Sequence, residues 1–155
     1  MRPLLIAALL LVGAGSGCGS KGAVSLSARV EAVELTVDDG PFGASLSGTF
    51  DLVLDLGGAA PEATTVSLGS FGVRNADGSV VDAFSLDATP SFPLDLSPGD
   101  SVRVELAIAE PPLLDEAEAE LVCSGDVWIS GSVSDTSNAG RPTPAASGRF
   151  SATCP

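Results

Sequence analysis

The stretch that most constrains this chain is 120–155, where two runs of alternating residues are bracketed by cysteines. The first run places Leu121, Cys123, Val127, Ile129 and Val133 on odd positions, with Ser124, Trp128, Ser130 and Ser132 between them. The second places Phe150, Ala152 and Cys154 on even positions, with Arg149, Ser151 and Thr153 between them. A two-residue period marks a strand with one buried face. Setting Cys123 opposite Cys154 in an antiparallel register puts Val127 against Phe150 and Ile129 against Gly148. All of these fall on the apolar side, so the pattern predicts a β-hairpin over Glu120 to Pro155 closed by a Cys123–Cys154 disulfide. Trp128 then points outward, opposite Arg149. A cation–π contact across that pair contributes ~0.5–1 kcal/mol at an exposed site.

The same period recurs upstream. Val24, Leu26, Ala28 and Val30 alternate on even positions, then Val33, Leu35 and Val37 on odd ones, a phase slip near Glu31-Ala32 that predicts a β-bulge or a strand changing sheets. Leu46, Gly48, Phe50, Leu52, Leu54 and Leu56 form the cleanest strand of the first half. A second slip, at Gly69-Ser70, separates Val66 and Leu68 from Phe71 and Val73. Asp38-Asp39-Gly40-Pro41, Asn75-Ala76-Asp77-Gly78 and Ser97-Pro98-Gly99-Asp100 are turn sequences. Phe92 to Leu96, flanked by proline, suits an edge strand. Asp115 to Glu120 alone favours helix, for one or two turns, and Asp135 to Ala146 reads as the hairpin's loop. Short strands at this spacing, about seven to nine of them, predict an all-β antiparallel sandwich over residues 23–155.

Residues 1–17 carry one charge, Arg2, then the apolar run Leu4 to Val12, then small residues ending at Gly17. That run is far short of the ~20 residues of a membrane-spanning helix and reads as an export signal peptide. Gly15-Ser16-Gly17-Cys18 resembles the lipobox of bacterial lipoproteins, which implies a lipidated Cys18 at the start of the mature chain and a short tether, 18–22. The alternative is ordinary signal cleavage, leaving a soluble secreted protein. The chain has 3 cysteines; lipid on Cys18 accounts for the one left over by a Cys123–Cys154 bridge. The resemblance implies a cell-envelope location and a membrane partner reached through lipid.

Further along, Phe92-Pro93-Leu94, Leu96-Ser97-Pro98-Gly99-Asp100-Ser101-Val102 and Ile129-Ser130-Gly131-Ser132-Val133 resemble immunoglobulin-like modules of bacterial surface proteins. This supports an immunoglobulin-like sandwich and implies little about activity. The cysteines depart from the antibody pattern, lying on strands expected to be sequential.

Composition narrows the chemistry. There is no histidine and no tyrosine, and the single methionine is Met1 in the leader. Histidine triads, histidine-ligated metals, a histidine general base and thioether copper sites are therefore excluded. A formal net charge of −13 argues against nucleic acid as a partner. No cofactor motif is present. Asn75, Asp77 and Asp82 resemble half of a calcium loop, to which Asp38 and Asp39 could add carboxylates, but Asn-x-Asp-Gly is also what a hairpin turn requires. The acidic run Glu110, Asp115, Glu116, Glu118 and Glu120 reads as a solvated face. Trp128, Arg149 and Arg141 are the candidate binding surface. The expected function is a non-catalytic envelope lipoprotein that binds a protein or glycan or supports an assembly. The alternative is a calcium-binding or carboxylate-dependent hydrolytic domain.

Overall fold

The computed structural model describes residues 26–139 and 141–155; the leader, the tether and Cys18 lie outside them. The chain is an antiparallel β-sandwich of two five-stranded sheets. β1 (Leu26–Gly40) and β2 (Gly43–Leu56) form one long hairpin. Its register shifts between Glu31 and Glu34, where Ala32 takes φ 48°, so the expected bulge is present. Gly48 pairs with Leu35 just beyond it at φ 144°, and a Cβ there would lie 2.1 Å from the Glu34 carbonyl oxygen. Only glycine allows this approach of the strands.

β3 (Thr64–Arg74) and β4 (Val80–Phe84) form the next hairpin, with Gly78 at φ 91° in its turn. After Ser85 the chain crosses to the other sheet as β5 (Leu86–Thr89), then returns as β6 (Leu94–Leu96) to pair with β3. β7 (Ser101–Ile108) lies between β2 and β5, and β8 (Leu113–Leu114) adds briefly to β2. Helix α1 (Glu116–Cys123) leads to β9 (Trp128–Asp135) and β10 (Pro142–Ala146). The first sheet runs β1-β2-β7-β5 and the second β10-β9-β3-β4. Phe50 sits at the centre of the core, its ring 5.9 Å from Phe71 and 6.2 Å from Phe84.

The terminal hairpin differs from its reading in three ways. Its first arm begins at Val127; Leu121 and Cys123 belong to α1 instead. Asp115 caps that helix, accepting from the Glu118 N–H at 2.8 Å, while the Glu118 carboxylate accepts from the Asp115 N–H at 2.9 Å. This reciprocal cap and the run of Glu and Ala override the alternation, and the helical period buries Val122 while Leu121 is exposed. The stretch read as a loop contains β10, which pairs Thr143 with Val133. Val127 does pair with Phe150, but Ile129 meets Ser147, whose N–H donates to the Ile129 carbonyl at 2.9 Å. The register slips by one residue between the two arms. The Cys123–Cys154 disulfide is formed all the same, across a Cα–Cα distance of 6.0 Å, from the last residue of α1 to the C-terminal tail.

The topology gives the sandwich two distinct ends. Leu26 pairs with Leu56, beside the turn 97–100, where Gly99 N–H donates to the Leu56 carbonyl. β3 also starts there, since Thr64 pairs with Leu96. The far end carries the β1–β2 and β3–β4 turns, β8, α1 and the start of β9. Over its 15 residues β1 runs the whole distance, roughly 45 Å at ~3.3 Å per residue.

Candidate far-end interaction surface

The far end holds the residues that a folded chain ordinarily hides. Among the described residues the exposed large hydrophobics are Phe42 at 88% exposure, Leu113 at 64%, Val80 at 54% and Leu121 at 41%. Phe42 is in the β1–β2 turn, and Leu113 pairs with Ser45 three residues further on. Val80 pairs with Arg74 at the β3–β4 turn, and α1, which carries Leu121, packs on β1, β2, β4 and β8. Scattered apolar residues on a surface are ordinary; four gathered at one end are not. Carboxylates accompany those near β1, β2 and α1, with Asp38 and Asp39 before Phe42 and Asp115, Glu116 and Glu120 lining an open cleft of about 410 Å³ on α1, whereas Val80 lies beside Arg74.

Trp128 and Arg149 meet as expected, at the rim of this end. The Arg149 guanidinium lies 5.0 Å from the Trp128 ring centroid, forms an ion pair with Asp126 and donates to the Ala76 carbonyl at 3.3 Å. A Cβ at Gly78 would lie 3.9 Å from the same indole. The pair therefore clamps the β3–β4 turn onto β9, with one indole face already covered. Arg74, beside Trp128 in the sheet, donates to the Ser130 hydroxyl and to the Gly78 carbonyl at 2.7 Å. Arg141 follows the turn after Asp135, at the opposite end of β9, about 20 Å away at ~3.3 Å per residue. The structure does not join it to Trp128 and Arg149.

The calcium-loop residues are occupied with the turn. Ser79 N–H donates to Asn75 Oδ1 and to Asp77 Oδ1, each at 3.0 Å, and this backbone donor holds the Asp77 carboxyl below the ordinary carboxylate range. Asp82 accepts from the Ala83 N–H, and Asp38 accepts from the Ser47 hydroxyl at 3.0 Å. Among the described residues, no three carboxylates or thiols gather into a set that could hold a metal ion.

No family model, curated protein or solved structure matches this chain. The site therefore rests on geometry and charge alone.

The outer face of the first sheet is of another kind. Arg29 bridges Glu31 and Asp55, and Arg103 bridges Asp51 and Glu31. Arg29 and then Arg103 hold Glu31 below the ordinary range; the Ser101 hydroxyl and then Arg29 do the same for Asp55. Val53 stands between Arg29 and Arg103 in the register, yet it is buried outside the core cluster. The arginine stems cover it. Arg29 and Arg103 are both paired, so among the described residues this face offers no free arginine.

Phe42 and Leu113 went unread in the sequence because neither belongs to an alternating run. The available signal was a phenylalanine placed inside a turn, between Asp38-Asp39-Gly40-Pro41 and Gly43, where no core exists to receive it.

Proposed function

We propose that this protein is exported, is held in the cell envelope through lipid on Cys18, and works without catalysis by engaging a partner with its far end. The observation that carries the reading is the gathering of the exposed large hydrophobics at the end opposite Leu26. A chain tethered just before Leu26 would present that end roughly 45 Å from its anchor, at ~3.3 Å per residue of β1. Phe42, Leu113 and Leu121, with carboxylates on the β1–β2 hairpin and α1 nearby, suit a protein with an apolar notch and a basic rim. A glycan is the weaker candidate, because Arg149 already covers a face of the indole on which a sugar ring would stack.

Two features support the anchor. The disulfide takes up Cys123 and Cys154, leaving Cys18 of the 3 cysteines unpaired within the chain. Cys18 also follows the small residues of a lipobox-like sequence. The non-catalytic reading is supported by the lack of histidine and tyrosine and by carboxylates engaged in turns, caps and ion pairs.

A photoreactive amino acid placed at Phe42 or Leu113 in living cells should form a discrete cross-linked product, while the same group at Glu62, in the near-end loop, should not. Equal products from both ends, or none from Phe42, would contradict the reading. Fatty-acid labelling tests the anchor: label on the wild type should vanish in Cys18→Ala, and label retained there would refute it.

A further inference from the structure

A second surface lies on the long side of the sandwich where the sheets are left open. β3 carries β6 along 64–66 and β4 along 71–74, so 67–70 have no strand on that side. The gap coincides with the bulge between Leu68 and Phe71. Across it, β5 is the last strand of the other sheet, paired only with β7. The Ala109 N–H donates to the Ser85 carbonyl at 2.8 Å. Antiparallel alternation then turns the Asp87 and Thr89 backbone toward β7 and leaves the N–H and C=O of Leu86 and Ala88 facing outward. Between the two edges is a cleft of about 460 Å³ lined by Leu68, Leu86, Asp87, Ala88, Ser91 and Phe92.

We propose that this open side accepts an extended segment of a partner protein in which large apolar residues alternate with lysine or arginine. Such a segment pairs its backbone with Leu86 and Ala88 as one more strand of the first sheet. Side chains of an added strand alternate between the two faces. One set enters the cleft, onto the half-buried Leu68, Leu86, Ala88 and Phe92. The other set lies on the outer face beside Asp87, which is exposed and has no ion pair among the described residues. Glu105, paired with Thr89, adds a second carboxylate. These charges make the occupant basic. They also disfavour a second copy of this acidic chain, because carboxylates guard an edge against its own kind.

The test uses the full chain with its disulfide intact and a capped synthetic octapeptide alternating leucine with lysine, followed by fluorescence anisotropy near physiological salt. Two further peptides serve as controls: the same residues with leucines and lysines segregated, and the alternating peptide N-methylated at every second amide. Each control should bind at least ~10-fold more weakly, because one loses the facial pattern and the other the strand hydrogen bonds. Asp87→Lys should weaken the alternating peptide by a similar factor and favour its leucine–glutamate counterpart, with the thermal midpoint unchanged. Glu62→Lys, in the near-end loop, should leave binding unchanged. Equal binding of the segregated or N-methylated peptide would mean charge adhesion and overturn the proposal. So would indifference to Asp87→Lys, or an open side filled by self-association in the absence of peptide.

Discussion

The two long sides of this sandwich solve the same problem in opposite ways. On one side β1 and β10 bring the sheets together and the C-terminal tail seals them. Phe150 pairs with Val127 of the second sheet, and three residues later Thr153 pairs with Thr36 of the first. Val37 N–H donates to the Thr153 carbonyl at 2.9 Å, Thr153 N–H donates to the Leu35 carbonyl at 2.8 Å, and Cys154 is bonded to α1. On the other side three short strands, β4, β5 and β6, share the work and leave a notch. The difference teaches that closure here is a property of the tail and its staple, while the opposite edge is built of short strands interrupted by proline and charge.

Removing the staple should break the closed side most severely. Cys123→Ser with Cys154→Ser opens a loop of 31 residues of sequence separation, and the double variant should lose about 3–4 kcal/mol in chemical denaturation. A loss below ~1 kcal/mol would mean the tail is held by packing alone. Next comes the turn that brings β10 back onto β9. Buried Asp135 accepts from the N–H groups of Ser137 and Asn138, each at 3.0 Å, and from Thr64 Oγ1 at 3.3 Å. Asp135→Ala leaves the Asn138 N–H without its acceptor and the Ser137 N–H and Thr64 hydroxyl with only their bonds to Thr64 and Thr136, and should cost about 1–3 kcal/mol.

Trp128 and Arg149 sharpen the comparison from the rim. A double-mutant cycle on Trp128→Ala and Arg149→Ala should return a coupling of about 0.5–1 kcal/mol. A coupling indistinguishable from zero would make the stacking incidental. The smallest effect is expected from the ion pairs that tie β1 to β2 and β7. Glu31 and Asp55 have lowered folded-state pKa values, so their contribution is present above the ordinary carboxylate range. It is lost as pH falls through the folded values. The thermal midpoint of Glu31→Gln/Asp55→Asn should therefore fall less than that of the wild type between neutral pH and about pH 3.

Much of this was legible because strand chemistry is local. The bulge near Ala32, the slip at Gly69, the Asn75–Gly78 turn and the facing of Trp128 with Arg149 all follow from a two-residue period and turn residues. The helix ending at Cys123 was misread because Leu121 and Cys123 happen to continue the odd-numbered alternation. The deciding signal was the reciprocal cap between Asp115 and Glu118, which the alternation does not contain. β10 was hidden by Pro142 and Pro144, residues that argue against a strand unless it lies at an edge, as this one does. Val53 and Asp135 were illegible for another reason: their burial depends on arginine stems and a turn supplied by distant parts of the chain. The far-end patch and the open notch are tertiary in the same sense, since no run of residues announces which end or side will be left uncovered.

Native-state hydrogen exchange tests the asymmetry most directly. The Val37 and Thr153 amides, bonded across the closed side, should exchange only through large-scale opening. The Leu86 and Ala88 amides should exchange at rates near those of an unstructured chain. They should become protected when the alternating leucine–lysine peptide is added. Strong protection of Leu86 and Ala88 in the protein alone, equal to that of Val37, would contradict the account, because the side described as open would then already be closed.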